Sequence, residues 1–430
     1  MIGSWVPVNL NSFGRNKGIK ISILSRATNI ANRLAKRVGR RLLLLRPKRS
    51  PFGRFTSMLR RTSAGLQSSS RLASARPALR GRWKLTNYAR SKTHARPATR
   101  LNYGLYLPHF GGSLSVPLVV MLHGCQQTAK EFAQGTRMNL LADQEGFAVL
   151  YPQQSESANV YRCWNWYEDL AQAGGGEAAL IVATIAQVSA QHRIDPSRVY
   201  VVGLSAGASM AMILAIHYPH LIAAVGLHSG VVFGAANSPM AGWGFMRHGS
   251  PEAPENAVHS AIGGSNVLGM PAVLIHGDRD PVVHPANLEQ LVTQFKVLNP
   301  SIANSTPALS SLSHAAADGR HDILQRQDYL AGDKSILRVY RIPDLEHAWS
   351  GSHGTAPFHS SEGPDASELM WEFLEQHRRR ADGNQSQDGE GPLPVPSFAV
   401  VAREQTIVRS RNQPVSIGQL DGSRPPGPSY

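Results

Sequence analysis

The sequence predicts an α/β domain with a mostly parallel central sheet and helices on both faces. Three observations lead there. From Leu101 onward, short apolar segments alternate with helical stretches. Those segments are often β-branched and are bounded by turn residues, as buried strands are. One of them, Val199–Leu204, runs through a Gly-Leu-Ser-Ala-Gly turn into a helix of small residues, Ala208–Ile216.

In chain order, Pro117–Leu122 and Phe147–Tyr151 read as strands. Glu177–His192 reads as a helix, because Ile181, Val182, Ile185 and Val188 share one face. After Val199–Leu204, further strands are expected at Ala223–Leu227 and Ala272–Ile275, a helix over Pro285–Val297, and an alternating strand at Ser335–Ile342. A last helix starts near Asp365, where Asp365 and Glu368 have capping-box spacing, and runs through Leu369, Phe373 and Leu374.

Charge is distributed unevenly. The net charge is +15, yet residues 1–100 hold 24 of the 44 Lys and Arg and none of the 29 Asp and Glu, so the other 330 residues carry 20 − 29 = −9. Residues 1–97 are therefore expected to be a basic, largely disordered arm. Within it, Ile30, Leu34, Val38 and Leu42 outline a short amphipathic helix over residues 28–45. Residues 98–380 are expected to fold as one domain, and the Pro/Gly-rich residues 381–430 to form a disordered tail. No apolar run approaches the ~18 residues of a membrane span, so a soluble protein is expected. Leu42–Leu45 is cut short by Arg46 and makes no clear signal peptide.

The Gly203-Leu204-Ser205-Ala206-Gly207 turn carries the chemistry. A strand, sharp turn and helix project the serine hydroxyl above the sheet, which makes Ser205 the candidate nucleophile. A serine needs a base, and the base needs an orienting carboxylate. Ala272–Ile275 runs into His276-Gly277-Asp278-Arg279-Asp280, so either Asp278 or Asp280 can serve, and Asp280 is favoured. His347 follows the last expected strand and is the candidate base, with His353 and His359 as rivals in the same loop. The candidate oxyanion donors are the N–H of Ala206, next after the nucleophile, and that of Cys125, in the turn after Pro117–Leu122.

The chain's two cysteines, Cys125 and Cys163, are either bridged or two buried thiols. Trp164 and Trp166 flank the second and are read either as walls of an apolar acyl site or as core. No metal-binding spacing occurs, and Gly174-Gly175-Gly176 lacks the Lys-Ser/Thr of a phosphate loop, so no cofactor is expected.

Taken together, the segments PLVVMLHGCQQ (117–127), CWNWY (163–167), GLSAG (203–207), IHGDRDPVV (275–283), Glu346–Trp349 and Gly363–Ala366 resemble the polyhydroxybutyrate (PHB)-depolymerase-like esterases, relatives of feruloyl and acetyl-xylan esterases. The resemblance covers about residues 100–378. It implies an α/β-hydrolase fold, a Ser205-His347-Asp280 triad, Cys125 at the oxyanion loop, and hydrolysis of short-chain hydroxyalkanoate polymers or oligomers. Feruloyl or acetyl-xylan esters are the alternative substrates. Family members are often secreted, which implies an extracellular location, with the cytoplasm as the alternative. A rival of another class is an anionic-surface or nucleic-acid binding protein working through residues 1–97. The arm's sparse aromatics and lack of a base-reading motif speak against nucleic acid.

Overall fold

The computed structural model describes residues 79–90, 99–109, 114–234, 236–263, 269–315 and 321–379. The expectations for residues 1–78, including the helix over 28–45, and for the tail beyond residue 380 lie outside them. The described residues all belong to the second of two units, Arg76–Tyr430.

The strands are β1 (Arg82–Arg90), β2 (Thr99–Leu107), β3 (Val116–Leu122), β4 (Ala148–Gln153), β5 (Ile194–Leu204), β6 (Ala224–His228), β7 (Ala272–Gly277), β8 (Ala308–Ala315), β9 (His321–Ala331) and β10 (Lys334–Ile342). They form one ten-stranded sheet in the order β1-β2-β4-β3-β5-β6-β7-β10-β9-β8. The run from β4 to β10 is parallel. Antiparallel partners extend it at both ends, β1 and β2 on one side and β9 and β8 on the other. This is the α/β-hydrolase architecture that the sequence implies.

The helices are α1 (Ala129–Thr136), α2 (Met138–Glu145), α3 (Asp169–Gln172), α4 (Gly176–Gln191), α5 (Ala206–His217), α6 (Pro239–His248), α7 (Pro254–Ile262), α8 (Ala286–Leu298) and α9 (Ala366–Leu374). Strand periodicity sorts them to two faces. Along β3, Leu118, Val120 and Leu122 join the core beneath α4, α5 and α8, while Val119 and Met121 join the core beneath α1, α2 and α9. Helix α5 is buried from Ala206 to Ile216, so its small residues let it sit close on the sheet. Side-chain caps close helix starts as their sequences demand, among them those of α1 and α9. Thr128 and Glu131 form a reciprocal capping box on α1, and Asp365 accepts the Ser367 and Glu368 N–H groups of α9.

Two edge features depart from the sequence reading. β1 lies within the segment expected to be a disordered arm, yet it pairs with β2 along its whole length. Its anchor is Trp83, whose ring meets Tyr151 at 5.4 Å and fills the space above Gly104, where a β-carbon would fall 2.4 Å from that ring. The β8–β9 hairpin was not expected at all. Its mixed pattern reflects a half-solvated ribbon, with Leu309 and Ile323 exposed and Leu324 buried.

Among the buried histidines, three are shifted far. Burial lowers His123 to about 4 and both His228 and His377 to about 3. In the unfolded chain a histidine titrates near ~6.5, so the unfolded state binds more protons between that value and the folded ones. Their contribution to stability is therefore complete above about pH 6.5 and is lost as the pH falls towards 4 and then 3. Thermal unfolding followed from pH 7.5 to 4 is expected to show a falling Tm before most carboxylates titrate. A flat Tm down to pH 4.5 would mean that these rings are not held neutral by the fold.

Candidate active site

The proposed nucleophile sits where β5 turns into α5. Ser205 has φ 55° and ψ −119°, a strained conformation for a residue with a side chain, and it is 6% exposed. Two constraints hold the turn. The Ser205 N–H donates to the carbonyl of His228 at the end of β6, at 2.9 Å. The flanking glycines permit contacts that no other residue allows: a β-carbon on Gly203 would lie 2.2 Å from the Gly207 carbonyl carbon, and one on Gly207 would lie 2.0 Å from the Leu122 carbonyl oxygen. The second contact seats the start of α5 directly on the end of β3. Ala206 is the first residue of α5, so its N–H is among the donors that the helix leaves without an internal acceptor.

The loop after β3 faces this turn. A β-carbon on Gly124 would lie 3.6 Å from the β-carbon of Ser205, so Gly124 and Cys125 run beside the nucleophile. His123 holds the loop from beneath. Its Nε2 accepts from the Gln154 N–H at 3.1 Å, so the proton is on Nδ1, which donates to the Gly124 carbonyl at 2.8 Å. The Gly124 N–H donates to Gln127 Oε1 at 2.8 Å, and Gln127 Nε2 donates to the Pro357 carbonyl at 2.7 Å. The Gln126 N–H donates to the Tyr161 carbonyl at 2.6 Å. Cys125 and Cys163 are disulfide-bonded, which decides between the two sequence alternatives.

The bridge ties the loop to residues 154–177. There Glu177, in the first turn of α4, accepts from Gln154 Nε2 at 2.5 Å, from the Asn165 N–H at 2.8 Å and from Asn165 Nδ2 at 2.7 Å. Burial outweighs these donors and raises the Glu177 carboxyl above its ordinary value. Trp164 is closed to solvent and Trp166 is 5% exposed. Trp164 lies 5.6 Å from the His123 ring, and Trp166 packs against Tyr167 and beneath Gly242 of α6. Both indoles pack into the hydrophobic core on the face of the sheet that carries α4 and α5.

The acid and base come from the ends of β7 and β10, which pair in parallel. Asp280 is buried. Its Oδ1 accepts from the N–H groups of Val282 and Val283 at 2.9 and 2.8 Å, and its Oδ2 accepts from His347 Nδ1 at 2.7 Å. Burial alone would raise this carboxyl, but the hydrogen bond and charge of His347, with His276 and the Val283 N–H, lower it below the ordinary aspartate value. Asp278 is directed elsewhere, accepting the Asp344 N–H at 2.7 Å. The two loops are stitched by their backbones, with the Arg279 N–H on the Leu345 carbonyl at 3.2 Å. A β-carbon on Gly277 would lie 2.1 Å from that same carbonyl oxygen.

With Nδ1 engaged by Asp280, Nε2 is the His347 nitrogen left for chemistry. The rival histidines are occupied differently. His353 Nδ1 lies 2.8 Å from the Thr355 hydroxyl, and His359 is buried with Nδ1 donating to the Pro357 carbonyl. The structure thus brings Ser205, Asp280, His347, Ala206 and Cys125 to the ends of β5, β7, β10 and β3 on one edge of the sheet. The sequence reading missed His276, whose Nε2 donates to the Val283 carbonyl at 2.8 Å and lies 3.5 Å from Asp280 Oδ2. It also missed the tethering roles of Gln127, Gln154 and Glu177. A Gln pair after His-Gly-Cys was the one visible trace of them. Among the described residues, no group of three or more His, Cys, Asp or Glu has a metal-holding arrangement. Nor is any helix there long and apolar enough to cross a membrane.

Residues 101–313 match the family described as esterase PHB depolymerase. The chain is 38% identical over 250 residues to poly(3-hydroxyalkanoate) depolymerase C of Paucimonas lemoignei, covering 57% of this chain and 58% of that protein. It is 32% identical over 188 residues to feruloyl esterase B of Neurospora crassa, covering 41% of this chain and 63% of that one. The matches thus span less than two thirds of either relative. The acetyl xylan esterase of Aspergillus awamori has the same fold, with a TM-score of 0.52, 21% identity, and 68% of this chain and 99% of that one covered. With the sheet order, the strained serine turn and the matched segment in agreement, the chain belongs to the PHB-depolymerase-like esterase family of the α/β-hydrolase superfamily.

Proposed function

We propose that the protein is a serine-dependent carboxylic ester hydrolase. The observation that carries this reading is the 2.7 Å bond from His347 to a buried Asp280, set on the sheet edge that also presents Ser205 at φ 55°. In the proposed reaction His347 takes the Ser205 proton as Ser205 Oγ attacks the ester carbonyl. The oxyanion accepts from the N–H groups of Ala206 and Cys125. His347 then gives the proton to the departing alkoxide, and the same base activates water to release the acid and regenerate Ser205. Asp280 holds the ring in the Nδ1–H tautomer and stabilises its cation. Its lowered pKa keeps it ionised well below neutral pH.

For substrate we propose short-chain hydroxyalkanoate esters, as polymer or oligomer. The higher identity of the Paucimonas depolymerase supports this choice over feruloyl or acetyl-xylan esters. The Cys125–Cys163 bridge supports an oxidising, extracellular location, since such bridges persist outside the reducing cytosol.

Release of acid from p-nitrophenyl butyrate, 3-hydroxybutyrate oligomers, polymer film and methyl ferulate tests the proposal. Ser205→Ala is expected to lower kcat by at least about a thousandfold with the fold intact, and Asp280→Asn to do so by roughly 10³–10⁴. Turnover that survives Ser205→Ala would remove this serine from the mechanism. Preference for the ferulate would move the protein to the plant-wall esterases. The paired change Cys125→Ser/Cys163→Ser opens a loop of 38 residues. It is expected to cost about 3–4 kcal/mol of stability. Because Cys125 is a proposed oxyanion donor, kcat should also fall more than KM rises. Equal kcat in bridged and unbridged protein would separate the bridge from the oxyanion loop.

A further inference from the structure

We propose that Phe358 is a specificity-determining residue, its ring forming a wall for the alcohol half of the ester. This rests on the ester-hydrolase reading above and adds which half of the substrate the residue selects.

Seven non-glycine residues among those described have positive φ, and they include Ser205 itself, Gln126 next to Cys125, and Phe358. A bulky aromatic at φ 59° is the most costly of these choices and persists only where its neighbours over-determine it. They do so here. The Phe358 carbonyl accepts from the Trp349 N–H at 2.9 Å. The carbonyl of Pro357 accepts twice, from Gln127 Nε2 at 2.7 Å and from His359 Nδ1 at 2.8 Å. His359 is itself wedged against Gly135 of α1, where a β-carbon would lie 2.2 Å from its Nε2. Clamped on both sides, Phe358 is half-buried, and its ring meets the His347 ring edge-on with centroids 6.2 Å apart and planes at 75°.

The chemistry of His347 assigns the substrate half. Its Nδ1 belongs to Asp280, so Nε2 must both collect the serine proton and deliver it to the leaving oxygen. That oxygen has to come within hydrogen-bond reach of the imidazole, and the carbons attached to it then pass beside whatever abuts the ring. Phe358 abuts it. Through Pro357 and Gln127 it is also tied to the loop carrying Cys125, so it is fixed relative to the carbonyl end as well. An apolar alcohol gains contact with the ring, and a methyl ester is too short to use it.

The test compares wild type, Phe358→Ala, Phe358→Leu and Phe358→Gly on methyl, n-butyl and benzyl butyrate by pH-stat, with p-nitrophenyl acetate, butyrate and octanoate as an acyl series. Butyrate esters share one acyl-enzyme, so their kcat/KM values report the step in which the alcohol leaves. Phe358→Ala is expected to lower kcat/KM for benzyl butyrate about tenfold more than for methyl butyrate, the scale set by one lost apolar contact. Acyl-chain preference should stay as in wild type, and Phe358→Leu should recover most of the loss. Phe358→Gly removes the ring while relieving the backbone, so it gives the same comparison if the alanine variant fails to fold. An equal loss on every ester would overturn the proposal in favour of imidazole positioning, and a changed acyl preference would place the ring on the other half. If the wild type shows no Ser205-dependent turnover of any butyrate, the hydrolase reading fails and takes this role with it. Ser205-dependent turnover with an unchanged benzyl-to-methyl ratio sinks only the role of Phe358.

Discussion

The close seating of Gly207 on the end of β3 is the constraint from which the site is built. With the hydrogen of Gly207 standing where a β-carbon would reach within 2.0 Å of the Leu122 carbonyl, α5 begins against the sheet and the chain must turn sharply at Ser205. The turn forces Ser205 to a positive φ, and its N–H finds the His228 carbonyl on the neighbouring strand. The same approach sets Gly124 beside the serine. Local strain at the nucleophile is thus held by contacts among β3, β5 and β6, which lie in the buried parallel centre of the sheet.

Around that turn, buried polar groups are joined in sequence. Glu177 holds Gln154 and Asn165, Gln154 fixes His123, and His123 fixes Gly124. Gln127 then carries the chain of bonds across to Pro357, beside the base. In a low-dielectric interior such links are strong when complete and costly when broken, so they lock loop geometry that apolar packing alone leaves loose. The disulfide adds a covalent tie between two of these segments. His123 can take part only while neutral, and burial keeps it so.

The antiparallel ends of the sheet behave differently from its centre. β1 is anchored by one tryptophan over a glycine, and the β8–β9 ribbon exposes Leu309 and Ile323. Neither contributes a residue to the site. The parallel strands β3, β5, β7 and β10 supply every proposed catalytic group from their ends, where backbone donors and loop side chains converge.

By itself the sequence determined the parallel core, the Ser205 turn and the chain order of the candidate serine, acid and histidine, because each is written in local patterns: apolar runs, paired glycines and strand ends running into polar loops. It offered Asp278 and Asp280 in one loop and favoured Asp280, but only the path of that loop sends Asp278 to the Asp344 backbone and Asp280 to His347. It could not decide the bridge, because two cysteines 38 residues apart have no local partner signal. β1 was hidden because Arg82–Arg90 shares the basic composition of the arm and becomes a strand only by pairing with β2. Gln127 and Phe358 were illegible for the same reason. Gln127 bonds a carbonyl 230 positions away, a contact that exists only once the sheet has brought the two segments together, and Phe358 meets the His347 ring only through the folded path of their shared loop.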